Sequence, residues 1–259
     1  MSNLRFTIVT CTYNAEATLQ RTLDSILAQQ VPLQHLLIDG TSTDGTLGLM
    51  QSYIERSRVE APSHDIIRRS EPDQGLYDAM NKALPMATGD YILYLNAGDT
   101  LATGTTLADI ASDIGTAETL PAVIYGDTLI IDCQGHILRQ RRLRPPMELT
   151  SKSFRQGMLV CHQAFYARTD LACECRYDLQ YRYSADVDWC IRVMKRGEEQ
   201  HLACYNTHRV LAHYLDEGLT TANRRASLCE RFRIMRHHYG LPTTVLMHLW
   251  FAVRALIKR

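Results

Sequence analysis

In the first half of the chain, short apolar runs alternate with stretches whose apolar residues recur at helical spacing. This is the pattern of a largely parallel sheet covered by helices. Residues 6–13 (FTIVTCTY), 35–39 (HLLID), 65–69 (DIIRR) and 90–95 (DYILYL) read as four strands. After Asn14, which reads as an N-cap, Leu19, Leu23, Ile26 and Leu27 form a helical stripe. Residues 43–57 begin a second helix, and Leu76, Met80, Ala83 and Leu84 give a third one its apolar face. Farther on, 105–114 reads as a helix and 122–132 with 135–143 as two strands turning at Gly135. Residues 144–157, with Pro145 and Pro146, read as a boundary or an ordered loop.

With 259 residues, 46% of them hydrophobic, the chain can bury a sizeable core. Its net charge is zero, but residues 1–138 hold 7 Lys+Arg against 17 Asp+Glu, and residues 139–259 hold 21 against 11. An acidic half suits metal or hydroxyl-rich ligands, and a basic half suits phosphates or a membrane. The eight cysteines show no CxxC pair and no His/Cys zinc spacing. Neither a disulfide framework nor a structural metal is indicated, and a reducing cytosol is expected. The apolar run at residues 6–10 is too short for a signal peptide, and 241–253 falls short of the roughly 20 residues that span a bilayer. The expected location is cytoplasmic.

Ligands of open parallel sheets bind beyond the carboxyl ends of the strands. Tyr13 and Asn14 follow the first strand, Asp39 and Asp44 the second, Asp73 to Gly75 the third, and Asn96 and Asp99 the fourth. The turn after the first strand has no glycine, so a dinucleotide fold is not indicated. P-loop and Gly-x-Ser-x-Gly motifs are absent, and Asp39 and Asp44 lie too far apart for an aspartyl-phosphate phosphatase. What remains is a nucleotide held by side chains: Tyr13 stacking on a base, Asp39 accepting from a base N–H, and Asp99 meeting a diphosphate through a hard divalent cation.

The segments TIVTCTYNAEATLQRTLDSILAQ, LLIDGTSTDGT, DQGLYDAMNKALPMATGDYILYLNAGDTL and YSADVDWCIRVMKRG occur in that order. Together they resemble the family 2 glycosyltransferases, inverting enzymes of the GT-A fold, and among these the bacterial exopolysaccharide type such as those building colanic acid. The resemblance implies an α/β GT-A fold of the nucleotide-diphospho-sugar transferase type, with a mostly parallel central sheet flanked by helices. It places a nucleotide-binding half at about 1–130, an acceptor half at about 131–220 and a C-terminal amphipathic helical tail at 221–259. It implies that Thr10, Tyr13 and Asn14 line the nucleotide pocket, that Asp39 contacts the base, and that Asp44 supports the loop or the ribose side. Gly75, Asp78 and Asn81 would flank the nucleotide and its ribose, with Asp78 and Asn81 on one helix face.

Where the family carries Asp-x-Asp or Asp-Asp, this chain has Asn96-Ala97-Gly98-Asp99. By the resemblance, Asp99 meets magnesium or manganese on the diphosphate, Asn96 contacts ribose or sugar, and His213 is a further metal ligand. With one carboxylate left, metal dependence with reduced affinity is expected. Asp186 aligns with the family's catalytic base and Asp188 is the reserve, although Ala185 replaces the usual Glu. His162 and Gln163 would lie near the acceptor or the donor sugar, and Trp189 would pack under the base or line the acceptor pocket. The implied donor is a nucleotide sugar, UDP ahead of GDP.

Residues 224–259 hold 8 Lys+Arg and 1 acidic residue. Leu228, Phe232, Met235 and Tyr239 form one stripe, and Val245, Leu246, Leu249, Trp250, Val253 and Ile257 a second, ending in Lys258-Arg259. Such helices suit an anionic membrane surface, where a lipid-linked saccharide acceptor would lie. Packing on the catalytic domain, or a homodimer, is the other use. Nucleic acid is not expected, because no stacking platform interleaves the basic residues. The expected function is transfer of a sugar to a hydroxyl of a lipid-linked oligosaccharide in bacterial surface polysaccharide biosynthesis, at the cytoplasmic face of the inner membrane. The alternatives are a non-catalytic nucleotide-sugar-binding module and a membrane- or partner-binding scaffold.

Overall fold

The computed structural model describes residues 4–115, 117–216 and 223–257. The chain runs β1 (Phe6–Thr12), α1 (Glu16–Leu27), β2 (Leu33–Asp39), α2 (Thr46–Glu60), β3 (His64–Ser70), α3 (Leu76–Ala83), β4 (Tyr91–Tyr94) and β5 (Thr100–Leu101). It continues with α4 (Thr106–Ile114), β6 (Val123–Ile131), β7 (Ile137–Gln140), β8 (Phe165–Arg168), α5 (Thr169–Glu174), α6 (Ala185–Glu199) and β9 (Cys204–Leu215). Two further helices, α7 (Arg224–Tyr239) and α8 (Leu241–Ile257), complete the described residues.

Among the described residues the strands form one sheet in the order β3-β2-β1-β4-β8-β6-β9-β5, with β7 paired to β6. The first four are parallel, as the alternating pattern predicts. Beyond β4 the sheet is mixed: β8 runs antiparallel to both β4 and β6, whereas β9 is parallel to β6. All seven residues of β1 and all seven of β2 are buried, because helices cover both faces of the sheet. One apolar layer joins Phe6, Ile8 and Leu93 to Leu107 and Ile110 of α4. The opposite layer joins Val9, Ile92 and Phe165 to Met80 of α3 and to Trp189 and Ile191 of α6.

One local expectation is corrected and another is narrowed. Asn14 does not cap α1: its backbone sits at φ 49°, and its side-chain oxygen instead accepts the Thr43 N–H at 2.8 Å. The first N–H groups at the start of α1 are satisfied from the start of α2 and the loop before it, Ala15 N–H by Thr46 Oγ1 and Glu16 N–H by Asp44, while Glu16 accepts the Gly45 N–H in return. Residues 144–157 are an ordered loop, closed by a 3-10 turn at Ser151–Gln156 with a Thr150/Ser153 capping box and with Phe154 buried.

The start of the expected tail, at 221, and Lys258 and Arg259 lie outside the described residues. Helix α7 packs on α6 with only part of the apolar stripe its sequence suggests. Met235 of the stripe is buried, together with Ser227, Glu230 and Ile234, while Leu228 is half exposed. Leu228 gives way to Ser227 and Glu230 because α6 and the loop before it present polar groups that need polar partners.

Candidate active site

The carboxyl ends of β1, β2 and β3 lie level, since Thr12 pairs with Asp39 and Asp39 with Ser70. That register lets one carboxylate bridge three strand ends. Asp39 accepts from the Thr12 hydroxyl at 3.0 Å, the Ser70 hydroxyl at 2.7 Å, and the Ser42 hydroxyl and N–H at 2.5 and 3.0 Å. It is fully buried. Burial pushes its carboxyl up, but these hydrogen bonds outweigh that and hold it below its ordinary value. Asp39 is therefore the knot beneath the edge, with Ser42 and Ser70 above it. Tyr13 stands free on the rim with 67% of its surface exposed. Thr10 is not brought to the edge: it is fully buried, and its hydroxyl meets His35 Nε2 at 2.9 Å inside the core.

Gly75 enters α3 at φ 115°, a left-handed conformation that glycine adopts without strain. Asp78 turns back to accept the Gln74 N–H at 3.0 Å. Asn81 faces elsewhere, exchanging two hydrogen bonds with the backbone of Tyr177 at 2.9 and 2.7 Å. Of the three, Gly75 and Asp78 border the strand-end loops and Asn81 fastens α3 to the loop before α6.

After β4 the chain makes a tight turn closed by Asp99 N–H on Asn96 O at 3.0 Å. Gly98 sits at φ 102°, and a Cβ there would come within 2.7 Å of the Leu215 side chain. Asp99 faces inward, 4% exposed, with Oδ1 accepting the Leu215 N–H at 3.0 Å and Oδ2 the Gln163 amide at 2.7 Å. Burial pushes its carboxyl up to about 6, against the pull of Gln163 and Leu215.

Beside this turn, four side chains from distant segments form one chain of contacts. The Asn96 amide meets His162 Nε2 at 3.1 Å, His162 Nδ1 lies 3.4 Å from Asp186 Oδ2, and the Tyr77 hydroxyl donates to Asp186 Oδ1 at 3.2 Å. With Asn96 donating to Nε2, the imidazole hydrogen sits on Nδ1, facing the carboxylate. Asn96 Oδ1 is left buried without a partner among the described residues. Burial pushes the Asp186 carboxyl up, but His162, Arg231 and Tyr77 outweigh it and hold the carboxyl below its ordinary value.

Asp188 is on the far side of α6. Arg192 and His238 each approach one of its oxygens at 2.7 Å, so it joins α6 to α7 and does not share a site with Asp186. Trp189 packs beneath Asp186, one of the two placements expected for it. It is buried in an aromatic cluster, stacked on Tyr177 at 5.0 Å and edge-on to Tyr94 and Phe165. Tyr177 in turn stacks on Tyr77, so the cluster forms the floor beneath Asp186.

His213 pairs across the sheet with Thr100, next to Asp99, and burial lowers its pKa. Among the described residues no three His, Cys, Asp or Glu gather as a cation site. A hard cation on a diphosphate, however, needs only one or two protein ligands, its other ligands being phosphate oxygens and water. Both oxygens of Asp99 are already engaged, by the Leu215 N–H and the Gln163 amide, so as it stands the carboxylate does not fit such a cation; it would have to give up one of these partners to meet it. Two described cavities lie elsewhere: one of about 560 Å³ by Asp24, Arg56 and Glu60 at the opposite edge of the sheet, the other of about 310 Å³ by Arg176, Asp188 and His237.

Sequence reasoning missed Tyr77, which touches Asp186, and Glu230, whose signal was available as the sole acidic residue among the basic residues from 224 onward.

Residues 7–171 match the family model described as Glycosyl transferase family 2. The chain is 34% identical over 219 residues to a PGL/p-HBAD biosynthesis glycosyltransferase of Mycobacterium bovis, an alignment covering 82% of this chain and 77% of that one. The structure is similar to S. aureus TarS 1-349 solved in complex with UDP, with TM-score 0.65 and 16% identity over 90% of this chain and 64% of that chain. It is also similar to the mannosyltransferase PcManGT from Pyrobaculum calidifontis, solved with GDP-Man and Mn2+, with TM-score 0.59 and 15% identity over 96% of this chain and 80% of that chain. At these identities the two structures speak for the GT-A-type fold alone.

The raised Asp99 carboxyl has a measurable consequence. A folded-state pKa above the unfolded value of 3.8 means that the native protein binds the proton more tightly, so stability falls as pH rises from about 4 through about 6. In EDTA, the wild type should lose about 2–3 kcal/mol relative to Asp99→Asn across this window, read from urea midpoints. A constant difference between pH 4 and pH 7 would show that Asp99 is not held in this way.

Proposed function

The chain belongs to glycosyl transferase family 2 and is a glycosyltransferase, and from that premise we propose an inverting transfer with Asp186 as the base. The sugar passes from a nucleotide diphosphate to an acceptor hydroxyl by direct displacement. The carrying observation is the contact chain Tyr77–Asp186–His162–Asn96, which joins the first turn of α6 to the turn after β4. A carboxylate held below its ordinary value is ionised at neutral pH, ready to take the acceptor proton as the hydroxyl attacks. Tyr77 and His162 hold both its oxygens in place, and the aromatic floor fixes Tyr77. Asp188 points to the other side of α6, where Arg192 and His238 of α7 meet it away from the strand ends, and it serves the position of α6 instead of the chemistry.

The nucleotide lies along the ends of β1 to β3, with Tyr13 and Asn14 at its rim, Asp39 setting the base pocket through Ser42 and Ser70, and Asp44, Gly75 and Asp78 shaping the loops around it. A UDP-sugar is the favoured donor and a GDP-sugar the second choice. On releasing Gln163 or the Leu215 N–H, Asp99 with His213 would hold magnesium or manganese, which when bound supplies positive charge to the leaving diphosphate. Asn96 would offer its unpartnered amide oxygen to ribose or sugar, a role supported by that oxygen having no partner among the described residues.

The acceptor is a hydroxyl of a lipid-linked saccharide used in bacterial surface polysaccharide biosynthesis. This reading is supported by α8, where Leu241, Val245, Leu246, Leu249, Trp250 and Val253 are all exposed by 43% or more. Exposed apolar surface beside a basic segment suits the interface of an anionic membrane. No helix among the described residues is long and apolar enough to cross a membrane. The proposed location, a peripheral one on the cytoplasmic face of the inner membrane, rests on the exposed apolar surface of α8.

Asp186→Asn should lower turnover of the donor by about 10²-fold or more while nucleotide binding persists. Undiminished turnover would remove Asp186 from the mechanism. Manganese should tighten UDP binding by the wild type in calorimetric titration and fail to do so for Asp99→Asn; equal tightening in both would remove Asp99 as a ligand. The double variant Leu246→Glu/Leu249→Glu should lose flotation with vesicles containing anionic lipid, and unchanged flotation would rule out α8 as the docking surface.

A further inference from the structure

Helix α7 grips the loop that leads into Asp186. Glu230 Oε1 accepts the Arg182 N–H at 2.8 Å, and Glu230 Oε2 accepts the Tyr183 N–H at 2.8 Å. The next residue, Ser184, is the N-cap of α6, yet its side chain makes no cap hydrogen bond. An N-cap serine ordinarily accepts from the second or third N–H of its own helix. Here its hydroxyl meets the Ser227 hydroxyl of α7 at 2.8 Å. Two turns farther along α7, His238 Nε2 sits 2.7 Å from Asp188 Oδ1. The helix that carries Asp186 is thus held by α7 on both sides of that residue.

Glu230 is only 8% exposed and Ser227 only 2%. A buried carboxylate is costly unless it is hydrogen-bonded, and both oxygens of this one are spent on two consecutive N–H groups of a single loop. We propose that Glu230, assisted by Ser227, is a positioning residue for the catalytic base: it fixes residues 182–184 and so keeps Asp186 against Tyr77 and His162. The inference rests on the reading of Asp186 as the base. It makes α7 a working part of the active site, although the helix lies beyond the span matched by the family model. Displacing a reacting group by about 1 Å can cost about 10²-fold in rate, so a loosened loop is enough to matter.

The test is the full-length chain with Glu230→Gln, whose amide can accept from only one of the two N–H groups. Steady-state turnover is normalised to nucleotide-binding sites counted by calorimetry. The expected result is a kcat lower by about 10–100-fold, an unchanged KM for the nucleotide sugar, and an acid limb of the kcat/KM profile moved to higher pH as Asp186 leaves His162 and Tyr77. Ser227→Ala should give a smaller change of the same kind, and it carries the test should Glu230→Gln not fold. Loss of activity that merely follows the folded fraction, with the acid limb unmoved, would overturn the inference while leaving Asp186 in place. An active Asp186→Asn control would instead overturn the base assignment itself.

Discussion

The candidate site depends on one buried carboxylate, Asp99. The chain has to turn sharply between β4 and β5, and Gly98 allows it to do so against the Leu215 side chain. Asp99 then fastens the turn at a single point, with the end of β9 on one oxygen and Gln163 on the other. Leaving either oxygen unpaired in so buried a place would cost a few kcal/mol. The sequence neighbour of Gln163 is His162, and the residue that opens the turn is Asn96. Fastening Asp99 therefore also brings His162 to Asn96 and, through His162, to Asp186.

Helix α6 divides two similar residues between two tasks. Asp186 and Asp188 are two positions apart, so they point to nearly opposite sides of a helix that turns about 100° per residue. One faces the strand ends, where Tyr77 and His162 receive it; the other faces α7, where Arg192 and His238 engage both its oxygens. Trp189 then points into the sheet and builds the aromatic floor. The apolar stripe of α8 takes no part in this core and stays exposed.

The first four strands and the helices between them were legible because burial imposes a period, whereas β5, β8 and β9 were not read; the four strand ends were legible because polar residues interrupt apolar runs there. The finer assignments divide along the same physics. Tyr13 lies one residue past β1 and is exposed, whereas Thr10 lies within the strand and is sealed against His35. Asn81 shares a helix with Asp78, but its partner is the backbone of Tyr177, a residue 96 positions away. The stripe Leu228, Phe232, Met235 and Tyr239 suggested one buried face for α7, and Met235 is buried there. The N–H groups of residues 182 and 183 turned the helix so that Glu230 is buried as well and Leu228 is left half exposed.

The sequence by itself determined the alternation of elements, the parallel first half of the sheet and which residue types gather at its carboxyl edge, because these follow from local periodicity and the order of the chain. Only the tertiary structure decided which carboxylates are closed and which face the site. Asp39 and Asp188 are enclosed by hydrogen-bond partners, Asp99 is enclosed at the end of β9, and Asp186 meets Tyr77 and His162. The reason is that most of these partners are distant in sequence: Leu215 stands 116 residues from Asp99, and Tyr77 stands 109 from Asp186. Whether a side-chain oxygen is spent or free depends on what packs against it, and no local pattern carries that information.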